Sequence, residues 1–390
     1  MYGTLKPASE LFINLNHESE SIAYQYFLPT YLNQGFQITN PDIYLMLEKA
    51  WQSITQLNAH SQNVRNSYLF LNMIIKHEAV MSSAMEGTRT TFTEALLPED
   101  STLNTTQKED RKEVYNYIKA SHQIKSLLEE LPISERLICH LHTTLLDSVR
   151  GYNKKPGEIR RSQNWIGGAS IQTARFVPPH PNELNDLMKD LCEFWSNNAL
   201  KIPVLIKIAL THYQFETIHP FLDGNGRVGR MLILAQLLDA KVLDQPWLNV
   251  SNIFEKQKEH YVASLRSANL TGSLEEWILF FLESIISATK NTYDIYQAFN
   301  TLQLECQEAI IGLGAKATNA QRVLEQLYKV PYATTKMVSE HLQVTPHTAK
   351  SLLQDLIKLE IVVPHKLHIE GERKQDGVFF KRYADIFADI

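Results

Sequence analysis

Between His219 and Arg230 the chain reads His-Pro-Phe-Leu-Asp-Gly-Asn-Gly-Arg-Val-Gly-Arg. One imidazole, one carboxylate and two guanidinium groups therefore fall within a few residues of three small, backbone-exposing positions. These residue types suit a polyphosphate. Gly224, Asn225 and Gly226 stand at the start of a helix, where free backbone N–H groups and the helix dipole attract an anion. Arg227 and Arg230 are three positions apart and project in neighbouring directions, so both can reach a triphosphate. Asp223 conflicts with an anion unless a cation lies between them, and a Mg²⁺ shared by Asp223 and phosphate oxygens removes the conflict. His219 is then left for proton transfer near neutral pH. An ordinary Asp-Gly-Asn-Gly turn is the alternative, but a turn needs neither the histidine nor both arginines.

The flanking residues must hold that loop. Pro203 to Ile218 reads as a buried helix, with Val204, Leu205, Ile208, Tyr213 and Phe215 on apolar duty. Pro220 disfavours helical geometry at His219, which places the histidine where helix gives way to loop. Met231, Leu232, Leu234, Ala235 and Leu238 open a second largely buried helix. The expectation is helix, tight loop, helix.

This stretch resembles, position by position, the His-x-Phe-x-Asp-Gly-Asn-Gly-Arg-x-x-Arg signature of the Fic (filamentation induced by cAMP) family. The resemblance implies transfer of AMP from ATP to a hydroxyl of a target protein. It implies His219 as general base, Asp223 as Mg²⁺ ligand, and Gly224, Asn225 and Gly226 as anion hole. Arg227 becomes a phosphate contact and Arg230 the γ-phosphate partner.

Two further segments fit the same resemblance. Residues 68–87 read as a helix, and Ser82-Ser83-Ala84-Met85-Glu86-Gly87 is similar to the family's inhibitory pattern. Ser82 and Glu86 share a helix face at i and i+4, and Gly87 suits a helix terminus. The resemblance implies that Glu86 pairs with Arg230 and keeps the γ-phosphate out of its productive place. From Pro156 to Pro181, Asn164, Trp165, Ile166, Gly167 and Gly168 form the centre of a predicted hairpin. It is similar to the family's flap, which takes a target segment as an added strand. The helix around Glu255 to Leu265 is a candidate for the adenine side of the pocket, with Tyr261 as its wall; a core-facing tyrosine is the alternative.

Composition bounds the rest. A chain of 390 residues holds two or three domains and a large core. A formal net charge of −5 argues against a general nucleic-acid or membrane-surface binder. Cys139, Cys192 and Cys306 lack metal-ligand spacing and read as reduced thiols of a cytoplasmic protein. The first residues lack a signal-peptide apolar core, and no apolar run is long enough for a bilayer.

The expected fold is mainly α: a Fic helical core with a β-hairpin flap, a helical N-terminal region and a C-terminal winged-helix-like α+β domain. The expected divisions are 1–125, carrying the inhibitory motif with a connecting loop at Pro98 to Lys108; 126–290, the core; 291–312, a linking helix separate from an apolar helix at Leu274 to Ala288; and 313–390. In the last segment three short helices precede a hairpin through Glu370-Gly371-Glu372. Winged helices often read DNA, but residues 311–390 carry eleven Lys/Arg against nine Asp/Glu, so a dimerisation or protein-docking role is favoured over DNA.

Two classes of function follow. The first is a self-inhibited protein adenylyltransferase that uses ATP and Mg²⁺ and modifies Tyr, Thr or Ser on a target protein or on itself. The second is a DNA-binding regulator whose core senses nucleotide. An intact His219 favours the first, because a sensor needs the phosphate cradle but no base. AMP removal, with Glu86 positioning water, is a third variant. Target, donor nucleotide preference and oligomeric state, including a homodimer, are not legible in the residues.

Overall fold

A computed structural model describes residues 2–13, 19–61, 67–97, 105–149, 154–367 and 375–388. Its chain folds into two compact units. One comprises residues 1–55, 116–244 and 253–287; the other comprises 56–115, 245–252 and 288–390.

The first unit opens with a long antiparallel hairpin, β1 (Gly3–Ile13) and β2 (Ser19–Pro29), in register from Gly3 opposite Pro29 to Ile13 opposite Ser19. The N-terminal region, expected to be mostly helical, thus has this strand pair ahead of its helices. Ile22, Tyr24, Tyr26 and Leu28 alternate along β2, a period-two pattern that puts one face inward. That face packs with Ala8, Ile171 and Val177.

Helices α1 (Asp42–Ser61), α2 (Ser67–Met85), α3 (Phe92–Leu96) and α4 (Thr105–Glu130) follow. Residues 105–108, expected in a connecting loop, form the first turn of α4; the earlier part of that loop lies outside the described residues. Next come α5 (Glu135–Leu145), capped by Ser134, then α6 (Leu184–Ser196), α7 (Val204–Ile218) and α8 (Asn225–Asp239). Helix α7 packs against both α6 and α8, and α5 against α6 and α8. Helix α7 is buried on nearly every side, its polar residues Lys207, Thr211, His212, Gln214 and Thr217 included. Gly229 allows the close α7–α8 approach, since a Cβ there would lie 2.3 Å from Glu216 Oε1 and 3.1 Å from the Phe215 ring.

Helices α9 (Val250–Lys256), α10 (Lys258–Thr271) and α11 (Glu275–Ile311) continue the chain. The two helices expected at 274–288 and 290–312 are one, α11, because no glycine or proline interrupts those 37 residues.

The second unit contains α2, α3 and most of α11. It also holds α12 (Ala317–Lys329), β3 (Tyr332–Thr334), α13 (Thr335–Leu342), α14 (Pro346–Lys358), β4 (Val363–Leu367), β5 (Gln375–Phe379) and α15 (Lys381–Ala388). Thr345 caps α14 and Pro346 begins it, the placement in which proline's missing N–H costs nothing. The three strands form an antiparallel sheet in the order β3-β5-β4. The predicted turn through Glu370 to Glu372 lies outside the described residues. Phe70 of α2 anchors this unit's core, its ring meeting those of Trp247, Tyr296, Phe299 and Phe387. Among the described residues no helix is long and apolar enough to cross a membrane.

Candidate active site

Helix α7 ends at His219, whose N–H bonds back to Phe215 O at 2.9 Å. The residue sits in the left-handed region, φ 50° and ψ 59°. For a residue with a Cβ this geometry costs roughly 1–2 kcal/mol, so surrounding bonds must over-determine it. The following proline forbids continuation of the helix, and the turn lifts the imidazole out of the α7 cylinder. His219 Nδ1 lies 3.3 Å from Glu216 O. A carbonyl only accepts, so Nδ1 carries the proton of the neutral ring. The imidazole is thereby set in one tautomer by its own helix.

Asn225 closes the loop. Its Oδ1 accepts from Phe221 N and its Nδ2 donates to Phe221 O, both at 2.8 Å. Both partners are buried. The Asn225 side chain therefore acts as a clasp, and only its main chain can serve an anion. Gly224, with φ 76°, starts α8 without a side-chain cap. The first backbone bond of the helix runs from Val228 N to Gly224 O, so the amides of Asn225, Gly226 and Arg227 precede the intrahelical ladder. That is the geometry expected of an anion cradle.

Asp223 is two-fifths exposed and uses Oδ1 twice. It accepts from Gly224 N at 2.6 Å and lies 3.6 Å from the Arg227 guanidinium. Oδ2 is the oxygen left for a cation. A single carboxylate fits Mg²⁺, which binds through one or two carboxylates plus phosphate oxygens and water. Among the described residues no cluster of three or more His, Cys, Asp or Glu could hold a metal alone. A Mg²⁺ at Asp223 would depend on the phosphates it bridges. Arg227 and Arg230 are 3% and 4% exposed, and the Arg227 guanidinium faces Asp223.

A histidine the sequence reading did not single out supports the loop. His142 of α5 stacks on Phe221 with ring centroids 3.8 Å apart and planes 10° apart. Gly157 N donates to its Nδ1 at 2.8 Å, which leaves the proton on Nε2 to donate to Asp223 O at 2.9 Å. Burial pushes its pKa down to about 4, Arg227 adds to the effect, and Asp223 opposes it. The ring is thus a neutral prop for the main chain of Asp223. The end of α5 is itself held by Asn116 Nδ2, which donates to Leu145 O and Asp147 O. No sequence motif marks His142; its partners are main-chain groups brought near only by folding.

The predicted hairpin over 156–181 is reduced to one antiparallel bridge, Ile166 to Phe176, closed by a loop containing a 3₁₀ turn at Ile171–Thr173. Gly167 and Gly168, with φ 68° and 81°, turn the chain at the start of that loop and not at its tip. Ile166 donates to Phe176 O at 2.8 Å and its carbonyl accepts from Arg175 and Phe176. In extended backbone the groups of Trp165 face the opposite way from those of Ile166, while Gly167, with its positive φ, already leaves the extended course. Trp165 and Ile166 are more than a third exposed. Asn164 Nδ2 ties this segment to the loop by donating to Phe221 O at 3.0 Å. From the other side β2 props it, with Phe27 N donating to Val177 O at 2.9 Å and Phe27 packing on Phe176.

Tyr261 is 5% exposed, stacked on Phe254 at 4.7 Å, with its hydroxyl 3.0 Å from His212 Nε2. His212 Nδ1 faces Gly229 O, so that nitrogen donates and Nε2 accepts from Tyr261. This is a core environment, the alternative raised from sequence, and an adenine-facing role is left to the proposal below.

In the second unit, α2 ends at Met85 and the motif turns over Glu86 and Gly87. Gly87 takes φ 93°, Gly87 N bonds to Ala84 O, and Thr88 N reaches Ser83 O. Ser82 is buried while Glu86 is exposed, because the helix stops one residue before the glutamate. The next residues are tethered to α4: Thr88 Oγ1 donates to Glu113 and Arg89 N to Asp110.

Comparison with known proteins adds the following. Residues 132–237 match the Fic/DOC family model, and residues 44–123 match the Fic/DOC family N-terminal model. A probable protein adenylyltransferase of Aquifex aeolicus is 33% identical over 182 residues, covering 47% of this chain and 48% of that protein. The protein adenylyltransferase Fic of Drosophila grimshawi is 33% identical over 176 residues, covering 44% of this chain and 32% of that one. The chain thus spans about half or less of the length of the curated relatives it matches. A crystal structure of a Fic family protein from Desulfovibrio desulfuricans G20 aligns over 89% of this chain and 98% of its own, with a TM-score of 0.58 and 19% identity, a likeness of fold.

Proposed function

This chain carries a Fic/DOC family domain, and from that premise we propose that it is a self-inhibited protein adenylyltransferase. It transfers AMP from ATP to a Tyr, Thr or Ser hydroxyl of a target protein or of its own chain. The observation that carries the reading is His219, a half-buried imidazole beside an uncapped helix N-terminus, with Nδ1 turned to Glu216 O.

In this reading Nε2 of His219 takes the hydroxyl proton while the hydroxyl oxygen attacks the α-phosphorus. The bond between the α- and β-phosphates breaks, and pyrophosphate leaves with its charge held by the α8 amides, Arg227 and Arg230. Mg²⁺, when bound through Asp223 and phosphate oxygens, supplies charge neutralisation. The nucleoside is assigned to the side of α10 that carries Tyr261. The target segment adds as a strand beside Trp165, with Asn164, Ile166, Gly167 and Gly168 fixing where that edge begins and ends; main-chain bonds give register and leave side-chain specificity loose.

Self-inhibition is assigned to Glu86, with Ser82 orienting the helix end and Gly87 making the turn; the support is the motif and its tethered position. A cytoplasmic location agrees with the unpaired cysteines. The order of helices and strands from α12 to β5 supports a winged-helix reading of the C-terminal segment, with dimerisation or protein docking ahead of DNA binding. The catalytic assignment is tested by His219→Ala. Transfer should vanish while ATP affinity stays within about threefold, since a base acts only in the reacting state. Unchanged transfer would remove His219 from the chemistry.

A further inference from the structure

Arg160 is 3% exposed, and its side chain donates to four main-chain carbonyls. Its Nε donates to His219 O at 2.9 Å, and one terminal nitrogen reaches Ile218 O at 3.4 Å. The same nitrogen donates to Pro179 O at 2.6 Å, while the other reaches Ser162 O at 3.2 Å. Its backbone N–H donates to Pro220 O at 2.9 Å. One residue thus grips the main chain on both sides of the candidate base and the two limbs of the flap segment.

We propose that Arg160 is a positioning residue for AMP transfer, holding His219 in its left-handed turn and locking the target-binding edge to the same register. The activity part of this proposal rests on the adenylyltransferase reading above. The physical case has three parts. Ile218 O and His219 O are among the last carbonyls of α7, which lack intrahelical donors and favour a cation. The strained His219 backbone needs bonds that its own helix does not supply. A planar guanidinium with five fixed N–H groups can span Pro179 O and His219 O together, which the compact ammonium of lysine cannot. Base and acceptor hydroxyl approach from different segments, so a part joining both segments controls their separation.

The test uses full-length Glu86→Gly protein and adds Arg160→Lys or Arg160→Gln. Measured are AMP transfer, ATP affinity, thermal unfolding and amide hydrogen exchange. A misplacement near 1 Å lowers a rate on the order of 100-fold, so kcat should fall by tens-fold in Arg160→Lys, with a raised KM for target. ATP affinity should stay within about threefold, because the cradle on α8 is untouched. Exchange should rise over residues 162–168 and 219–223 while the body of α7 stays protected. Transfer and exchange equal to the parent would overturn the proposal. So would losses of kcat, ATP affinity and global stability in step, which mean that Arg160 only holds the fold. If the parent itself transfers no AMP, the adenylyltransferase reading fails, and the exchange data still decide whether Arg160 links the two segments.

Discussion

The loop from His219 to Arg230 and the segment from Asn164 to Gly168 lie side by side in one unit, yet they are built in opposite ways. From His219 to Arg230 side chains hold the chain: Asn225 clasps Phe221, His142 props Asp223, and Arg227 and Arg230 are buried. From Asn164 to Gly168 the main chain does it. Ile166 is paired through its backbone to Phe176, while the Trp165 and Ile166 side chains stand partly in solvent. A reaction centre must fix atoms to fractions of an ångström, and interlocked buried groups achieve that. A surface that accepts varied targets needs a fixed edge and tolerant side chains.

That contrast can be broken most severely at the base. His219→Ala should cut transfer by roughly 10²–10⁴-fold, the range for a positioned general base, as measured by labelled AMP on protein. Next is the clasp. Asn225→Ala leaves the buried N–H of Phe221 without its partner, while Asn164 still reaches the carbonyl, and should destabilise the first unit by about 1–3 kcal/mol, read by urea unfolding. In the flap, Ile166→Pro removes a bridge donor and should raise the KM for a protein target about tenfold with little change in ATP affinity. Trp165→Ala should change that KM by less than about threefold, because register comes from the main chain. An inverted order of these two variants would mean that the flap reads side chains after all.

The smallest effect is one of pH. Burial pushes the His212 pKa down to about 3, Arg230 adds to this, and the Gly229 carbonyl opposes it. The folded state therefore binds fewer protons than the unfolded state between that value and the ordinary 6.5. Its contribution is fully present above about pH 6.5 and is lost as pH falls toward 3. Urea midpoints at pH 7.5 and 5 should show this slope, and His212→Gln should flatten it.

What the residues announced was the part whose function is local. The run from His219 to Arg230 carries its own geometry, since Pro220 ends one helix and Gly224 begins the next. The β1–β2 hairpin was not read, although Ile22, Tyr24, Tyr26 and Leu28 alternate as a half-buried strand does. His142, Arg160 and Asn116 were invisible for a different reason: each bonds to main-chain groups distant in sequence, which no spacing rule records. Interweaving of segments into two units is likewise a property of packing. The single helix from Glu275 to Ile311 was legible in principle, because nothing within it breaks a helix.

The most direct test of the account follows label from α-³²P-ATP and from γ-³²P-ATP with Mg²⁺ in Glu86→Gly protein, alone and with cell lysate, beside Glu86→Gly carrying His219→Ala. The account predicts protein-bound label from the α-position only, stronger than in unaltered protein and lost with His219→Ala. Label from the γ-position, or α-label that survives loss of His219, would contradict it.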